Sequence, residues 1–195
     1  MAAVVVPAGG RGGKWKGGGC VMVTVDELAA QVAALQRRVA VSESVLAIHD
    51  LKARYGALVD QRFSGGAVVG AEELEDIAAR VAALFTDDGV WDGGPGLGAA
   101  SGHPAIAARL RQPTLVFSRH FFVNPRIEVD VAGDTATGRW DLLSPCRRAD
   151  GTSYWMCGFE DDRYTQVDGV WLHRSMTLTT VFMSPVGEGW TRLFA

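Results

Sequence analysis

The chain has 195 residues, of which 48% are apolar and 21% charged, and its formal net charge is −3. This length and balance predict one globular domain with a sizeable core, and no apolar run reaches the ~20 residues that a membrane span needs. The first 21 residues hold three basic and no acidic residues, so the rest of the chain carries −6. A domain of that charge without a basic stripe is not expected to have nucleic acid as its main partner.

The cysteine pattern and the N-terminus bear on the compartment. Cys20, Cys146 and Cys157 form no Cys-x-x-Cys pair, and their odd number does not suggest a disulfide framework. The apolar run at 4–6 is short and the basic residues follow it, which is not the order of a secretory signal. We therefore expect a cytoplasmic protein with free thiols and no membrane partner.

Residues 1–21 form a basic segment of low complexity with seven glycines. Such a composition cannot build a packed core, so we predict disorder here. The domain is expected to occupy 22–195 as one unit. Translation from a start codon upstream of the native one would explain why residues 1–21 precede the domain.

A helical pattern begins behind Thr24, a candidate N-cap followed by Asp26 and Glu27 in the first turn. The apolar seam of this helix repeats at 4-3-4-3-4 spacing, close to a heptad. It consists of Leu28, Val32, Leu35, Val39, Ser42 and Leu46. We predict a helical arm at about 24–45, which packs either on a neighbouring subunit or on its own domain.

The stretch 50–63 reads as the last turns of this helix, with Leu51, Tyr55 and Leu58 on one apolar stripe. Asp60 lies close to the expected helix end at Gly65. A carboxylate there faces the negative end of the helix dipole, which costs about 0.3–1 kcal/mol. Either Asp60 is a solvated residue at a fraying end, or something other than helix stability keeps it there.

The later pattern predicts helices at 71–85 and 105–111, a short strand at 90–92, and then a run of strands. These strands are predicted at 114–123, 126–131, 134–144, 153–167 and 170–183. Helices followed by an antiparallel meander indicate an α+β fold. Long strands twist and curl, so the helices can close the concave side of the sheet over a pocket. The glycine-rich loop at 93–98 lacks the lysine of a phosphate-binding loop, so we expect no nucleotide site there.

Several short motifs along this pattern resemble one known family in their order and spacing. They are Leu51…Tyr55…Asp60, Ala83-Leu84-Phe85-Thr86-Asp87-Asp88-Gly89-Val90-Trp91, Arg119-His120-Phe121…Asn124-Pro125, Gly133-Asp134-Thr135-Ala136, Gly158-Phe159-Glu160-Asp161 and Asp168-Gly169-Val170-Trp171…Arg174. Together they resemble the SnoaL-like family of the nuclear transport factor two superfamily over roughly residues 42–183. Within it, the arrangement is similar to the scytalone and bile-acid 7α-dehydratases.

The resemblance implies a cone, in which a strongly curved antiparallel sheet is closed by N-terminal helices around a deep apolar pocket. It also implies chemistry without metal or organic cofactor, and a homo-oligomer, either trimer or dimer. The family centres on an Asp–His pair, which Asp60 and His120 match by position. Tyr55 matches the tyrosine that stands five residues before the aspartate in the dehydratases.

These residues suggest general acid/base chemistry. If Asp60 accepts a hydrogen bond from one ring nitrogen of His120, the other nitrogen is left as a base with a fixed tautomer. Tyr55 would polarise a carbonyl or protonate a departing hydroxyl. Tyr55 and Asp60 lie about 140° apart around a helix, so they would have to flank the pocket. The alternative is that His120 and Tyr55 are hydrogen-bonded core residues.

Strand alternation selects further candidates for substrate binding. Ser118, His120, Phe122 and Asn124 share one face of their strand, so Phe122 and Asn124 are expected beside His120. No histidine pair has metal-ligand spacing, and we predict no metal site.

Two pairs of neighbouring residues leave the inward side chain open, because alternation admits only one member of each. Either Trp140 or Asp141 faces the pocket. Of His173 and Arg174, the family position favours Arg174, which would bind an acidic group of the substrate or balance developing negative charge.

The sequence thus predicts a cofactor-independent lyase, a dehydratase, acting on a hydrophobic hydroxylated small molecule. An isomerase or polyketide-type cyclase would use the same base without expelling a group. A non-catalytic binder, or the small scaffold subunit of an oxygenase, would show a filled cone instead of a pocket.

Overall fold

The computed structural model of the protein describes residues 4–5, 22–130 and 132–186. The chain forms two compact units, Met1–Glu43 and Ser44–Ala195. Apart from strand β1, Val4–Val5, the predicted disordered segment lies outside the described residues. The single domain predicted for 22–195 likewise stays a prediction.

In the first unit, β1 pairs antiparallel with β2, Met22–Val23. Helix α1 then runs over Val25–Gln61 and continues into the second unit. Thr24 caps it as predicted, because its Oγ1 accepts the main-chain N–H of Glu27 at 3.2 Å while a Glu27 oxygen accepts the N–H of Thr24 at 2.8 Å. The role of 24–45 as an arm remains a prediction.

The second unit contains three helical segments. The end of α1 buries residues at helical spacing, among them Ile48, Leu51, Tyr55 and Val59. A hairpin of β3, Phe63–Ser64, and β4, Ala67–Val68, follows, and its tight turn uses the positive φ of Gly65 and Gly66. Helices α2, Ala71–Ala82, and α3, His103–Leu110, complete the set. No helix of the described chain combines the length and apolar character that crossing a membrane requires.

Seven strands form the main sheet of the second unit. They are β5 (Phe85–Asp92), β6 (Ala99–Ser101), β7 (Phe117–Ser118), β8 (Phe121–Val129), β9 (Thr135–Arg147), β10 (Ser153–Val167) and β11 (Val170–Pro185). The order is β6-β5-β11-β10-β9-β7, with β8 also paired to β9.

The predicted α+β architecture is confirmed, with two differences. The sheet is mixed, since β5 pairs parallel with β11, whereas an all-antiparallel sheet was predicted. The predicted strand 114–123 is interrupted at Arg119 and His120, which separate β7 from β8. The core is formed by helical residues packed on one face of the sheet, which stays open at its edges and is compatible with the predicted cone.

Candidate active site

Asp60 and His120 are in direct contact in the second unit. Asp60 lies in the last turn of α1 and is only 8% exposed. One of its oxygens is 2.7 Å from Nδ1 of His120, and the main-chain N–H of His120 donates to both oxygens at 3.1 and 3.2 Å. These charge-assisted contacts offset the unfavourable helix dipole. The predicted hydrogen bond between the two residues is therefore present.

This contact defines the chemistry open to the imidazole ring. Because an ionised carboxylate only accepts hydrogen bonds, neutral His120 carries its proton on Nδ1 and its lone pair on Nε2. Arg119 Nε lies 3.4 Å from the second oxygen of Asp60. The arrangement leaves Nε2 of His120 as a base of fixed tautomer.

His120 lines a cavity of about 80 Å³ whose wall is mainly apolar. Besides His120, its polar and charged lining residues are Tyr55, Arg62, Arg109, Thr114, Ser118, Ser144 and Glu160. The cavity shares Leu97, Met156 and Leu178, among others, with an adjoining depression of about 680 Å³. A ligand can thus occupy the small cavity and extend into the depression.

Tyr55 and His120 line the same cavity, and Asp60 is connected to it through its hydrogen bond to His120. The Tyr55 hydroxyl accepts a hydrogen bond of 2.9 Å from Nε1 of Trp91. Because Trp91 supplies that proton, the hydroxyl proton of Tyr55 is left to donate to a bound molecule. Burial raises the pKa of Tyr55 well above its ordinary value, and the negative charge of Glu160 raises it further. Tyr55 is therefore a hydrogen-bond donor that strongly retains its proton.

A buried charge network stands beside this site and was not predicted from the sequence. Lys52 forms ion pairs with Glu160 and Asp162, the latter at 2.7 Å, and Tyr164 donates to the same Asp162 oxygen at 2.6 Å. Burial by itself would lower the pKa of Lys52, but the charges of Asp162 and Glu160 outweigh it and raise the pKa. Lys52 thus stays protonated inside the protein.

The sequence did contain signals for this network. Lys52 precedes Tyr55 by three residues on the buried stripe of α1, and Glu160, Asp162 and Tyr164 alternate along β10 as inward residues do. Glu160 also lines the cavity, so it joins the network to the site. Burial raises the pKa of Glu160, although the charge of Lys52 opposes that shift.

Phe122 and Trp140 both face inward. The Phe122 ring lies nearly parallel to that of His120, with centroids 5.9 Å apart, and covers the Lys52 ammonium at 4.4 Å. Trp140 is the inward member of the pair Trp140/Asp141, but it is a core residue whose Nε1 donates to the Tyr164 hydroxyl at 2.9 Å. Phe122 therefore packs on His120, and neither Phe122 nor Trp140 is among the residues that line the cavity.

The expected pocket position of Asn124 is wrong, and Asp141 is the outward member of the pair Trp140/Asp141. Both side chains are exposed, and Asn124 donates a hydrogen bond of 3.0 Å to Asp141 on the outer face. Asn124 adopts the left-handed conformation with φ of 49°, and the register of β8 on β9 shifts between Val123 and Arg126. This irregularity ends the alternation that would have placed Asn124 beside His120.

The expected pocket position of Arg174 is also wrong. Its side chain is 47% exposed and forms an ion pair with Asp88. Its neighbour His173 faces inward, is fully buried and stacks on Phe85 with ring centroids 5.0 Å apart. Within the part of the chain that the structure describes, neither ring nitrogen of His173 has a hydrogen-bond partner. Burial lowers the pKa of His173 to about 3.

Within 22–130 and 132–186, no three His, Cys, Asp or Glu side chains are grouped closely enough to hold a metal ion. Cys146 and Cys157 are free thiols.

Comparison with known proteins adds a family and a fold. The model of the SnoaL-like domain matches residues 40–177. No curated protein is significantly similar in sequence.

Solved structures with this fold include three from the genus Novosphingobium. Hexachlorocyclohexane dehydrochlorinase LinA-type3 from N. barchaimii LL02 is 21% identical with a TM-score of 0.63, covering 77% of this chain and 95% of that one. A protein of N. aromaticivorans DSM 12444, provisionally assigned as a scytalone dehydratase, is 21% identical with a TM-score of 0.60, covering 75% and 90%. An NTF2-like protein of N. aromaticivorans is 23% identical with a TM-score of 0.56, covering 87% and 96%.

Proposed function

Because the chain belongs to the SnoaL-like domain family, we propose that it is a cofactor-independent lyase of the dehydratase type. Its substrate is a hydrophobic hydroxylated small molecule. The observation that carries this proposal is the Asp60–His120 hydrogen bond at a mainly apolar cavity that His120 lines. Two proteins of the same fold carry names of elimination reactions, a dehydrochlorinase and a scytalone dehydratase. These names support an elimination here.

The first step is removal of a proton from carbon. Nε2 of His120 takes a proton from a carbon next to a carbonyl group, and Asp60 stabilises the imidazolium that forms. The electron pair of the broken C–H bond moves towards the carbonyl oxygen. Tyr55 donates a hydrogen bond to that oxygen and stabilises its developing charge.

The second step is loss of the hydroxyl group. The electron pair returns from the carbonyl oxygen, a carbon–carbon double bond forms and the C–O bond breaks. The leaving oxygen takes the proton held on Nε2 of His120 and departs as water. We assign this proton to His120 because the raised pKa of Tyr55 makes its phenol a poor acid. One ring nitrogen therefore acts first as base and then as acid.

An isomerase or polyketide-type cyclase is the second candidate. In the elimination described above, His120 alone takes up and returns the proton. A single group of this kind would also suffice for an isomerase, which moves a proton from one carbon to another. Product mass separates the two reactions, since a dehydratase releases water and an isomerase does not.

The scaffold alternative predicted a filled cone, whereas the second unit holds a cavity lined by His120. Assembly as a trimer or dimer remains a prediction.

The test is a screen of hydroxylated aromatic and alicyclic ketones with mass-spectrometric detection of water loss, followed by variants. Asp60→Asn keeps an acceptor for the main-chain N–H of His120 but removes the charge that fixes the tautomer. We expect Asp60→Asn and His120→Ala each to lower kcat/KM by about 10²–10⁴-fold. Arg174→Ala on the outer face is the control. If Asp60→Asn and His120→Ala stay within a few-fold of the wild type, the proposed mechanism is wrong.

A further inference from the structure

Two arginines line the cavity without a carboxylate partner. Arg62 follows α1, and its Nε donates to the carbonyl of Val59 at 2.9 Å. Arg109 lies in α3, and its Nε and Nη1 donate to the carbonyls of Leu97 and Gln112 at 2.6 and 2.8 Å. Among the side chains that the structure describes, no carboxylate oxygen comes within 4.0 Å of either guanidinium. Main-chain oxygens position both arginines.

This arrangement differs from that of two neighbouring or outward-facing arginines, Arg111 and Arg174. Arg111, two residues after Arg109, is bound by Glu75, and Arg174 is bound by Asp88. Burial lowers the pKa of Arg62, and although Tyr55 and Asp60 oppose that shift, the positive charge of Arg109 lowers it further. Two like charges facing one cavity repel each other, and the Glu160 carboxylate that also lines the cavity is already paired with Lys52.

Two hydroxyl groups in the same cavity lack partners as well. Ser118 and Ser144 are 3% and 1% exposed, and among the described residues neither Oγ has a hydrogen-bond partner. Ser118 pairs with Cys146 across β7 and β9, so Ser144 is its diagonal neighbour on the same inner face. Buried hydroxyls without a partner are costly to a folded protein. A ligand oxygen would satisfy them.

We infer that the cavity binds a small apolar acid, whose anionic oxygen group is held by Arg62 and Arg109. The Ser118 and Ser144 hydroxyls donate hydrogen bonds to an oxygen of the same molecule. Planar carboxylates match the two-pronged donor geometry of guanidinium groups. That this acid is the substrate rests on the proposed function. The inference narrows the proposed substrate class from hydroxylated molecules to hydroxylated acids. A cavity of about 80 Å³ accepts the acid end, and the rest extends into the adjoining depression.

Benzoate and benzamide are the probes, because they have nearly the same shape and differ in charge. Binding is measured by calorimetric or NMR titration at neutral pH on the full chain. Charge-assisted hydrogen bonds predict that the wild type binds benzoate about tenfold more tightly than benzamide, or better. Arg109→Gln should remove most of this preference by weakening benzoate binding, with benzamide changed less than threefold. Arg62→Gln should act in the same direction.

The control is Arg111→Gln, which removes one positive charge close to Arg109 in sequence, and it should leave the benzoate preference unchanged. Arg109→Lys keeps the charge and should retain part of the preference, so a loss caused by misfolding is distinguishable. Equal affinity for benzoate and benzamide, no saturable benzoate binding, or an unchanged preference in Arg109→Gln would each overturn the inference.

Asp60→Asn separates this inference from the proposed function. It removes a negative charge near Arg62, so benzoate should bind no more weakly than to the wild type, although turnover is lost. A benzoate preference together with normal turnover in Asp60→Asn would refute the proposed mechanism alone. Lost turnover without any benzoate preference would refute the anion site alone.

Discussion

The surroundings of His120 and His173 show two uses of the same residue type within the second unit. Both side chains face inward and both lie near a carboxylate. Nδ1 of His120 is 2.7 Å from Asp60, and its ring lines a cavity. Nδ1 of His173 is 3.8 Å from Asp162, beyond hydrogen-bond distance, and its ring is fully buried.

The difference between the two sites lies in what surrounds each ring. The side chain of His120 is 15% exposed and has one nitrogen fixed by Asp60. His173 is packed against Phe85, Tyr55 and Tyr164, with ring centroids 5.0 to 5.7 Å away. A histidine can act as a base when it has both an orienting acceptor and access to a ligand. Proximity to a carboxylate is not sufficient.

Lys52 contacts a residue beside each histidine, Phe122 next to His120 and Asp162 near His173. Its replacement should have the largest effect on stability. Its ammonium covers Phe122, which packs on His120, and it neutralises Glu160 and Asp162. Lys52→Met leaves these carboxylates buried without a counter-charge, which should lower the free energy of unfolding by about 3–5 kcal/mol. Urea unfolding monitored by circular dichroism measures the loss.

The matched control is Arg54→Met on the same helix, where the ion pair with Asp50 is weak and exposed. It should leave the urea midpoint unchanged. In the Lys52→Met background, Glu160→Gln with Asp162→Asn should restore part of the stability. Loss of similar size in both methionine variants would contradict the assignment of the network as a stabilising core.

His173 should make stability depend on pH. Its folded pKa of about 3 lies below the unfolded value of 6.5, so as pH falls through this window the unfolded state takes up the proton first. The wild type should then lose up to about 1.4 kcal/mol per pH unit between pH 6.5 and 3 from this group. His173→Phe removes the group. Urea titrations at several pH values should show a shallower decline for the variant, and parallel declines would disprove this interpretation.

The tautomer of His120 should depend on Asp60, an effect of about 1.5–3 kcal/mol for one charge-assisted hydrogen bond. Nitrogen-15 NMR of the ring at a pH where it is neutral should show the proton on Nδ1 in the wild type. In Asp60→Asn the two tautomers should become comparably populated. The ring signals of His173 serve as the internal control and should not move. A wild-type His120 protonated on Nε2 would sink the proposed role as base.

Arg174 should show the smallest effect, although it adjoins His173 in sequence. Its partner Asp88 is solvent-exposed, and exposed pairs of this kind contribute little. Arg174→Ala should change neither the urea midpoint nor turnover measurably. A marked loss of turnover would restore Arg174 as a pocket residue and contradict the orientation described above.

Much of the fold could be predicted from the sequence because it depends on local signals. The periodicity of Leu51, Tyr55 and Leu58 located the end of α1, and Thr24 marked its beginning. Neighbouring strands joined by short turns were predicted as antiparallel. The parallel pairing of β5 with β11 has no such local signal, since 77 residues separate Asp92 from Val170.

The site could be predicted less completely. Asp60 and His120 were paired in advance because the resemblance supplied a contact across 60 residues. Asn124 was misplaced because one left-handed residue and a register shift reversed its side. Alternation required one of His173 and Arg174 to face inward but could not select which one. The sequence did not predict a buried Lys52, because a lysine that interrupts an apolar helical stripe ordinarily extends its charged group into solvent.

The main-chain N–H of His120 that donates to Asp60 has a consequence for evolution. It makes this carboxylate an anchor that fastens the end of a helix to the sheet, independently of any reaction. A descendant that lost its substrate would still be selected to keep the aspartate, while the imidazole could drift. The first trace of lost catalysis in such a lineage would therefore be a changed histidine opposite a retained aspartate.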